Sequence, residues 1–303
     1  MYSYGYRDRF LFFVRDRYET EQIYRENPFP YRETFRMISA HAIYYCLEGQ
    51  MEIQSEGSRY LLNPGEICIM RESEGHVVRV TRFPTEFYDM SFSLHYFRIV
   101  DPEYRLYRPF VERQLGVGNV LKASAVNHEL LKAAFDHVAT THDTYTRRIA
   151  VMGAMELVLL ELLRAHRPEN FKEPEERDPL TVKILDYINS HLAGEDLEPE
   201  ALAARFYVSR SQLNRLIKNG TGFTLWNYIT CKRLSHAFYQ MQAGMSNKEA
   251  ATDSGFQDYS TFYKAYVRFK GFPPKDDRPT ETYDPMLTNF YQVDDSAILI
   301  GSK

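Results

Sequence analysis

From residue 197 onward apolar positions recur every three or four residues, in two blocks built on one plan. In the first, Pro199 suits an opening helical turn, and Leu202, Ala203 and Phe206 form the apolar stripe behind it. Tyr207-Val208 break the period. Ser209 then opens a second helix, its S-x-x-Q spacing to Gln212 predicting a capping box. Leu213, Leu216 and Ile217 make that helix's buried side, which leaves Arg210, Ser211, Asn214, Arg215 and Lys218 on the polar side. The second block repeats the plan: Ser246 and Glu249 form a box, Ser254-Gly255 a turn, and Asp258 caps a helix with Phe262, Tyr266 and Phe269 inward. Tyr259, Ser260, Tyr263 and Lys264 face out. Between the blocks, residues 225–241 read as one connecting helix capped by Thr224, with Trp226, Ile229, Leu234, Ala237 and Phe238 on its apolar face and Trp226 expected in the core.

Upstream the period shortens to two. Residues 41–47, 51–55, 59–62, 67–70, 76–81 and 87–94 are short β-branched or aromatic runs, divided by turns such as Glu48-Gly49, Glu56-Gly57 and Asn63-Pro64-Gly65. Strands of this number and spacing predict a small β-barrel or jelly roll. Two helices follow, at 124–140 and 144–164. The second has so broad a stripe (Ile149, Val151, Met152, Met155, Val158, Leu159, Leu162, Leu163) that one side is expected on the barrel and the other on a partner subunit. Residues 168–179, PENFKEPEERDP, are charged and proline-rich and predict an interdomain linker. The fold class is thus α+β in two domains: a barrel with helices over 1–166, a linker over 167–179, an all-helical domain over 180–280, and an unassigned tail over 281–303.

Charge sharpens the division. The net charge of −4 argues against a general nucleic-acid coat, but residues 180–280 hold 13 Lys/Arg against 10 Asp/Glu, while the rest of the chain holds 24 against 31. The basic excess sits in the helical domain and is small, so placement of individual cations must matter more than bulk charge. Cys46, Cys68 and Cys231 are scattered, with no C-x-x-C, and read as buried thiols in a reducing cytoplasm. Phe10–Val14 is too short an apolar run for a signal peptide, and no stretch reaches membrane-spanning length.

Two helix-turn-helix units on one stiff connector suit duplex DNA, whose successive major grooves lie about 34 Å apart on one side. Arg and Asn can bond base edges bidentately, and Arg and Lys hold phosphates. Residues 180–278 resemble the DNA-binding domain of the AraC/XylS family of bacterial transcription regulators, through LAARFYVSRSQLNRLIKNGTG, the YITCKRLSHA connector, and GFQDYSTFYKAYVRFKGFPP with a closing Arg278. Ala251, Gly255, Phe256, Asp258, Ser260, Phe262, Gly271 and Pro274 hold the places of the family's A-x-x-x-G-F-x-D-x-S-x-F and G-x-x-P pattern. That resemblance implies that Ser211, Asn214 and Arg215 approach bases from the first head, and Tyr259, Ser260, Tyr263 and Lys264 from the second. Thr261 stands where an aromatic is usual and PPKDDR brings two acids, which implies a second head that positions more than it specifies.

The segment YYCLEGQMEIQSEGSRYLLNPGEICIM resembles the cupin-like sensory domain of the same regulators. The expected effector is a sugar or other small polar molecule, with His41, Ile43, Tyr45, Tyr88, Met90 and Phe92 as inward candidates and His76 closing one end. The arm 1–30, with Tyr2, Tyr4, Tyr6, Phe10, Phe12 and Phe13, is expected to fold over the mouth. The resemblance also implies a homodimer, promoter DNA as partner, and contact with RNA polymerase if the protein activates. The alternative is a metal-dependent cupin enzyme with a helical appendage, and a protein-binding module stands third. His41-Ala42-Ile43 lacks the paired histidine of a cupin metal motif, and no Ser/His/Asp set, P-loop or dinucleotide fingerprint is present. The chain therefore reads as non-enzymatic, with no metal or cofactor expected.

Overall fold

Long β-branched and aromatic runs give a strongly bent antiparallel sheet in the computed structural model, which describes residues 2–7, 11–26, 40–93, 96, 101, 103–194, 197–270 and 273–277. Its strands are β1 (Tyr2–Arg7), β2 (Leu11–Tyr18), β3 (His41–Ser55), β4 (Ser58–Leu62), β5 (Ile67–Met70), β6 (His76–Phe92), β7 (Val120–Leu121) and β8 (Glu176–Arg177). They lie in the order β1-β2-β6-β3-β4-β8, with β5 bridging β3 and β7. Two predicted strands merge in β3, broken only by register shifts between Cys46 and Met51. Gly49 sits there at φ +80°, a conformation that glycine adopts without strain. The first half of β3 pairs with β5 and the second half with β4, so the sheet turns over on itself. The amino-terminal arm is not a separate flap: its residues 2–7 and 11–18 are sheet strands. The short helix α1 (Glu21–Glu26) follows them and packs Ile23 and Tyr24 against the enclosed face.

The two faces of this sheet bury different side chains. Tyr18, Ala42, Tyr44, Cys46, Met51, Ile53, Tyr60, Leu62, Cys68, Met70 and Phe87 cluster inside the turn of the sheet. The alternate residues Phe13, Ile43, Tyr45, Ile67, Ile69, Tyr88, Met90 and Phe92 face out, under α3 (His128–Thr140) and α4 (Thr144–Arg164). A short helix, α2 (Arg108–Val111), adds Phe110 to the same layer. This corrects the inward set. His41, Tyr45, Tyr88, Met90 and Phe92 lie on the helix side, because a strand with a period of two offers its most apolar face to whatever buries most surface, and here that is a pair of helices. Only His76 turns toward the enclosed side, where its Nε2 is 3.1 Å from the Tyr44 hydroxyl.

The linker also departs from expectation. Residues 168–178 are stitched to the sheet edge: Lys122 N bonds Asn170 O, Lys172 N bonds Val120 O, and β8 pairs with β4. The helical domain begins at α5 (Pro179–Ser190), capped by Asp178, and continues through α6 (Pro199–Arg205), α7 (Arg210–Thr221), α8 (Leu225–Gln242), α9 (Asn247–Asp253) and α10 (Tyr259–Lys270). The connector α8 divides its buried stripe. Leu225, Tyr228 and Ile229 complete a core with α5, α6 and α7; Cys231, Leu234, Ala237 and Met241 complete another with α9 and α10. All three cysteines are buried free thiols. Gly271, Arg278 and the tail from 278 to 303 lie outside the described residues.

Candidate nucleic-acid interface

The first head is a short helix crossed by a better-capped one. The Ser209 side chain accepts from Gln212 N and the Gln212 side chain accepts from Ser209 N, so both halves of the box are made. Such a cap stabilises a helix start by about 1 kcal/mol. Leu213 and Ile217 are buried, and each contributes roughly 1.5–3 kcal/mol by leaving water. With that stripe fixed, Arg210, Ser211, Arg215 and Lys218 are exposed and Asn214 is half-buried. Arg210 is partly engaged, at 2.7 Å from Glu200, in an exposed ion pair that adds little to stability. Asn214 donates to the Arg210 carbonyl at 3.2 Å. Arg215 and Lys218 have no polar partner among the described residues, so both cations are available to an anionic surface.

The second head repeats this. Ser246 and Glu249 complete a capping box, and Gly255 ends α9 at φ +87°, where the close approach of the Leu192 carbonyl leaves no room for a side chain. Asp258 accepts from Thr261 N at 2.8 Å and from the Thr261 hydroxyl at 2.7 Å. Thr261 thus serves the cap. Phe262, Tyr266 and Phe269 are buried, while Tyr259, Ser260, Tyr263 and Lys264 are exposed, with the two tyrosine rings 6.3 Å apart. The connector has 18 residues, a rod of about 27 Å at 1.5 Å per residue, which suits neighbouring grooves. One expectation fails: Trp226 is not core but 58 % exposed, with the Arg268 guanidinium 6.0 Å from its ring. It lies in the first turn of α8, beside the cap, where Leu225 and Tyr228 are the residues turned into the core.

A family profile described as a helix-turn-helix domain matches residues 202–279, which take in the connector, the second head and all but the opening turn of the first. Residues 202–279 are an AraC-type helix-turn-helix domain. The HTH-type transcriptional activator RhaS of Mannheimia succiniciproducens is 34 % identical over 83 residues, 27 % of this chain and 31 % of that protein. RhaS of Escherichia fergusonii is 28 % identical over 132 residues, 43 % of this chain and 47 % of its own length. The chain thus spans less than half of the curated relatives that it matches. Among solved structures, the AraC-like transcriptional activator CuxR is 15 % identical with a TM-score of 0.36, over 82 % of this chain and 83 % of CuxR. The C-terminal domain of AraT from Geobacillus stearothermophilus is 24 % identical with a TM-score of 0.33, over 35 % and 93 %.

Outside the AraC-type domain, the enclosed face of the sheet is the second candidate. By alternation with Tyr18, Tyr44 and Phe87, the buried Asp16, Asp89 and Ser91 point into it, beside Tyr60 and the Tyr44–His76 pair. These polar residues escaped the sequence reading because Asp89 and Ser91 looked like the solvent side of an amphipathic strand. One end is closed by the loop before β7. Arg113 pairs with Glu74 there, and Asn119 and the Gly116 amide also donate to that carboxylate. Burial alone would raise the Glu74 carboxyl, but Arg113 and these donors hold it well below the usual carboxylate range. On the helix side Tyr45 bonds His128 Nδ1 at 2.9 Å, and burial raises its hydroxyl to about 12, so it stays a neutral phenol. Among the described residues no three His, Cys, Asp or Glu side chains gather as a metal set, and no helix is long and apolar enough to cross a membrane.

Proposed function

We propose that the chain is a sequence-specific transcription regulator. Its AraC-type domain reads promoter DNA, and its sheet domain takes a small polar effector and pairs two copies. What supports the first part is the exposed row Ser211, Arg215 and Lys218, on a helix whose opposite side is locked into a core. The second head offers Tyr259, Ser260, Tyr263 and Lys264 in the same relation to its own core. Arg215 and Asn214 suit base edges; Lys218, Lys264 and the tyrosine hydroxyls suit phosphates. The effector place moves from the helix-side set to the enclosed face, where Asp16, Tyr44, His76 and Asp89 supply the acceptors and aromatic planes that a sugar needs. The name of the RhaS relatives, transcriptional activators, agrees with a protein working beside RNA polymerase in the cytoplasm.

The test is equilibrium binding of the full chain to duplexes selected from a random pool, across a range of salt. Each phosphate neutralised should contribute about −0.9 to the slope of log K against log salt. A steep decline with salt together with enrichment of one sequence supports the reading; a flat line or no enrichment overturns it.

A further inference from the structure

The sheet domain and the AraC-type domain meet through a contact made largely of buried polar groups. The turn between β3 and β4 consists of Glu56, at φ +47°, and Gly57, at φ +80°. Glu56 is 3 % exposed, and its carboxylate accepts from Gly75 N at 2.9 Å, from the Tyr228 hydroxyl at 2.6 Å and from Lys232 Nζ at 2.9 Å. Tyr228 and Lys232 belong to the connector helix α8, and Lys232 is only 5 % exposed. Asn189 of α5 donates to the Tyr228 hydroxyl at 3.2 Å. Gly57 N donates to the carbonyl of Gly220, at the end of the first recognition helix, and Asp178 N donates to Gly57 O. A Cβ on Gly220 would come 3.3 Å from the Gly57 backbone across this contact and 2.7 Å from Thr181 of α5, so the approach is a close one. Two to three turns further along, α8 is held again: Phe238 packs into the sheet–helix core, and the Tyr239 and Tyr107 hydroxyls lie 2.8 Å apart.

We propose that the Glu56-Gly57 turn is a latch by which the sheet domain fixes the posture of the DNA-reading connector. A non-glycine residue at positive φ is held only where its surroundings over-determine it, and the Glu56 carboxylate supplies that anchoring. An ion pair excluded from water resists displacement, because shifting either partner leaves a buried charge without compensation. The same turn is wired to the enclosed face. Ser55 and Ser58, its two flanking residues, alternate with Ile53 and Tyr60 onto that face, and both are fully buried. Their hydroxyls have no hydrogen-bond partner among the described residues. A polar molecule bonded to either hydroxyl would act one residue away from the Glu56-Gly57 turn. In a dimer, two latched domains read two half-sites at one spacing; unlatched domains accept several.

This rests on the DNA-reading function proposed above, so the test has one arm that needs no DNA. Full-length wild type is compared with Glu56→Gln and with Lys232→Met, which keeps the apolar stem of the lysine if the first variant fails to fold. Amide exchange at Gly57 and Asp178, whose bonds cross the contact, should quicken by about tenfold or more in both variants, while Gln212 and Glu249, inside their caps, keep their protection. Affinity for a single selected half-site should stay near wild type. On paired half-sites moved apart in steps of about half a helical turn, wild type should prefer one spacing by about tenfold and the variants by under about threefold. Unchanged exchange at both amides overturns the latch, as does a spacing preference that survives in both variants or is lacking in wild type. Failure of wild type to bind the single half-site would instead overturn the DNA reading, with the exchange arm still deciding the latch.

Discussion

Burial pushes the His41 imidazole down to about 3 from an ordinary 6.5, and the neighbouring charges of Arg71, Arg113 and Lys270 push the same way. The native state therefore keeps a neutral ring, whose Nδ1 accepts from Glu72 N at 3.1 Å. Below pH 6.5 the unfolded chain binds a proton that the native chain refuses, so stability falls as pH drops through the interval from 6.5 toward 3. Urea midpoints at pH 7 and pH 5 should separate less in His41→Gln than in wild type; equal separations would mean that His41 is not the group responsible. Arg215 makes a second prediction at this scale. If it bonds a base, Arg215→Ala should weaken binding to the selected sequence by about 1–3 kcal/mol and relax preference at one position, as read by competition titration. An unchanged affinity would remove Arg215 from the interface. Residues of this kind were legible because caps and stripes are local. Ser209, Gln212, Ser246, Glu249 and Asp258 each act within three residues of their partners, as their spacing said. Glu56 and Lys232 were not legible, because they meet across 176 residues.

The helix α4 carries two apolar sides. Val151, Met155, Val158, Leu159 and Leu162 are buried against the sheet and α3, whereas Tyr145, Ile149 and Leu160 are exposed on the other side. Gly153 sits along that outer stripe with nothing within 4 Å of the place a Cβ would take, so a second helix could approach closely. We expect the pair of copies to form there. Ile149→Glu with Leu160→Glu should shift sedimentation from dimer to monomer while leaving the thermal unfolding of the sheet domain little changed; a dimer that persists would place the contact elsewhere. The breadth of this stripe was legible. The choice of sheet face was not: Tyr88, Met90 and Phe92 alternate with Asp89 and Ser91 in either arrangement, and a one-residue choice decides which set lies under the helices. Nor could composition show that residues 168–178 are tied down, since the ties of Lys172 N and β8 are backbone bonds.

Across the whole molecule, the succession of a sheet part and an all-helical part could be read from the run of short strands before residue 94 and the paired helical blocks from residue 197 onward. Their mutual posture could not, because it depends on a turn and a helix meeting through buried polar atoms. The central idea is that two capped recognition helices on one rod enter neighbouring major grooves. Hydroxyl-radical footprinting on a selected site tests it most directly, with wild type, Arg215→Ala and Lys264→Ala in parallel. Each DNA-binding domain should protect two patches about 10 base pairs apart on one side of the duplex, Arg215→Ala thinning one patch and Lys264→Ala the other. A single protected patch, or both variants thinning the same one, would contradict it.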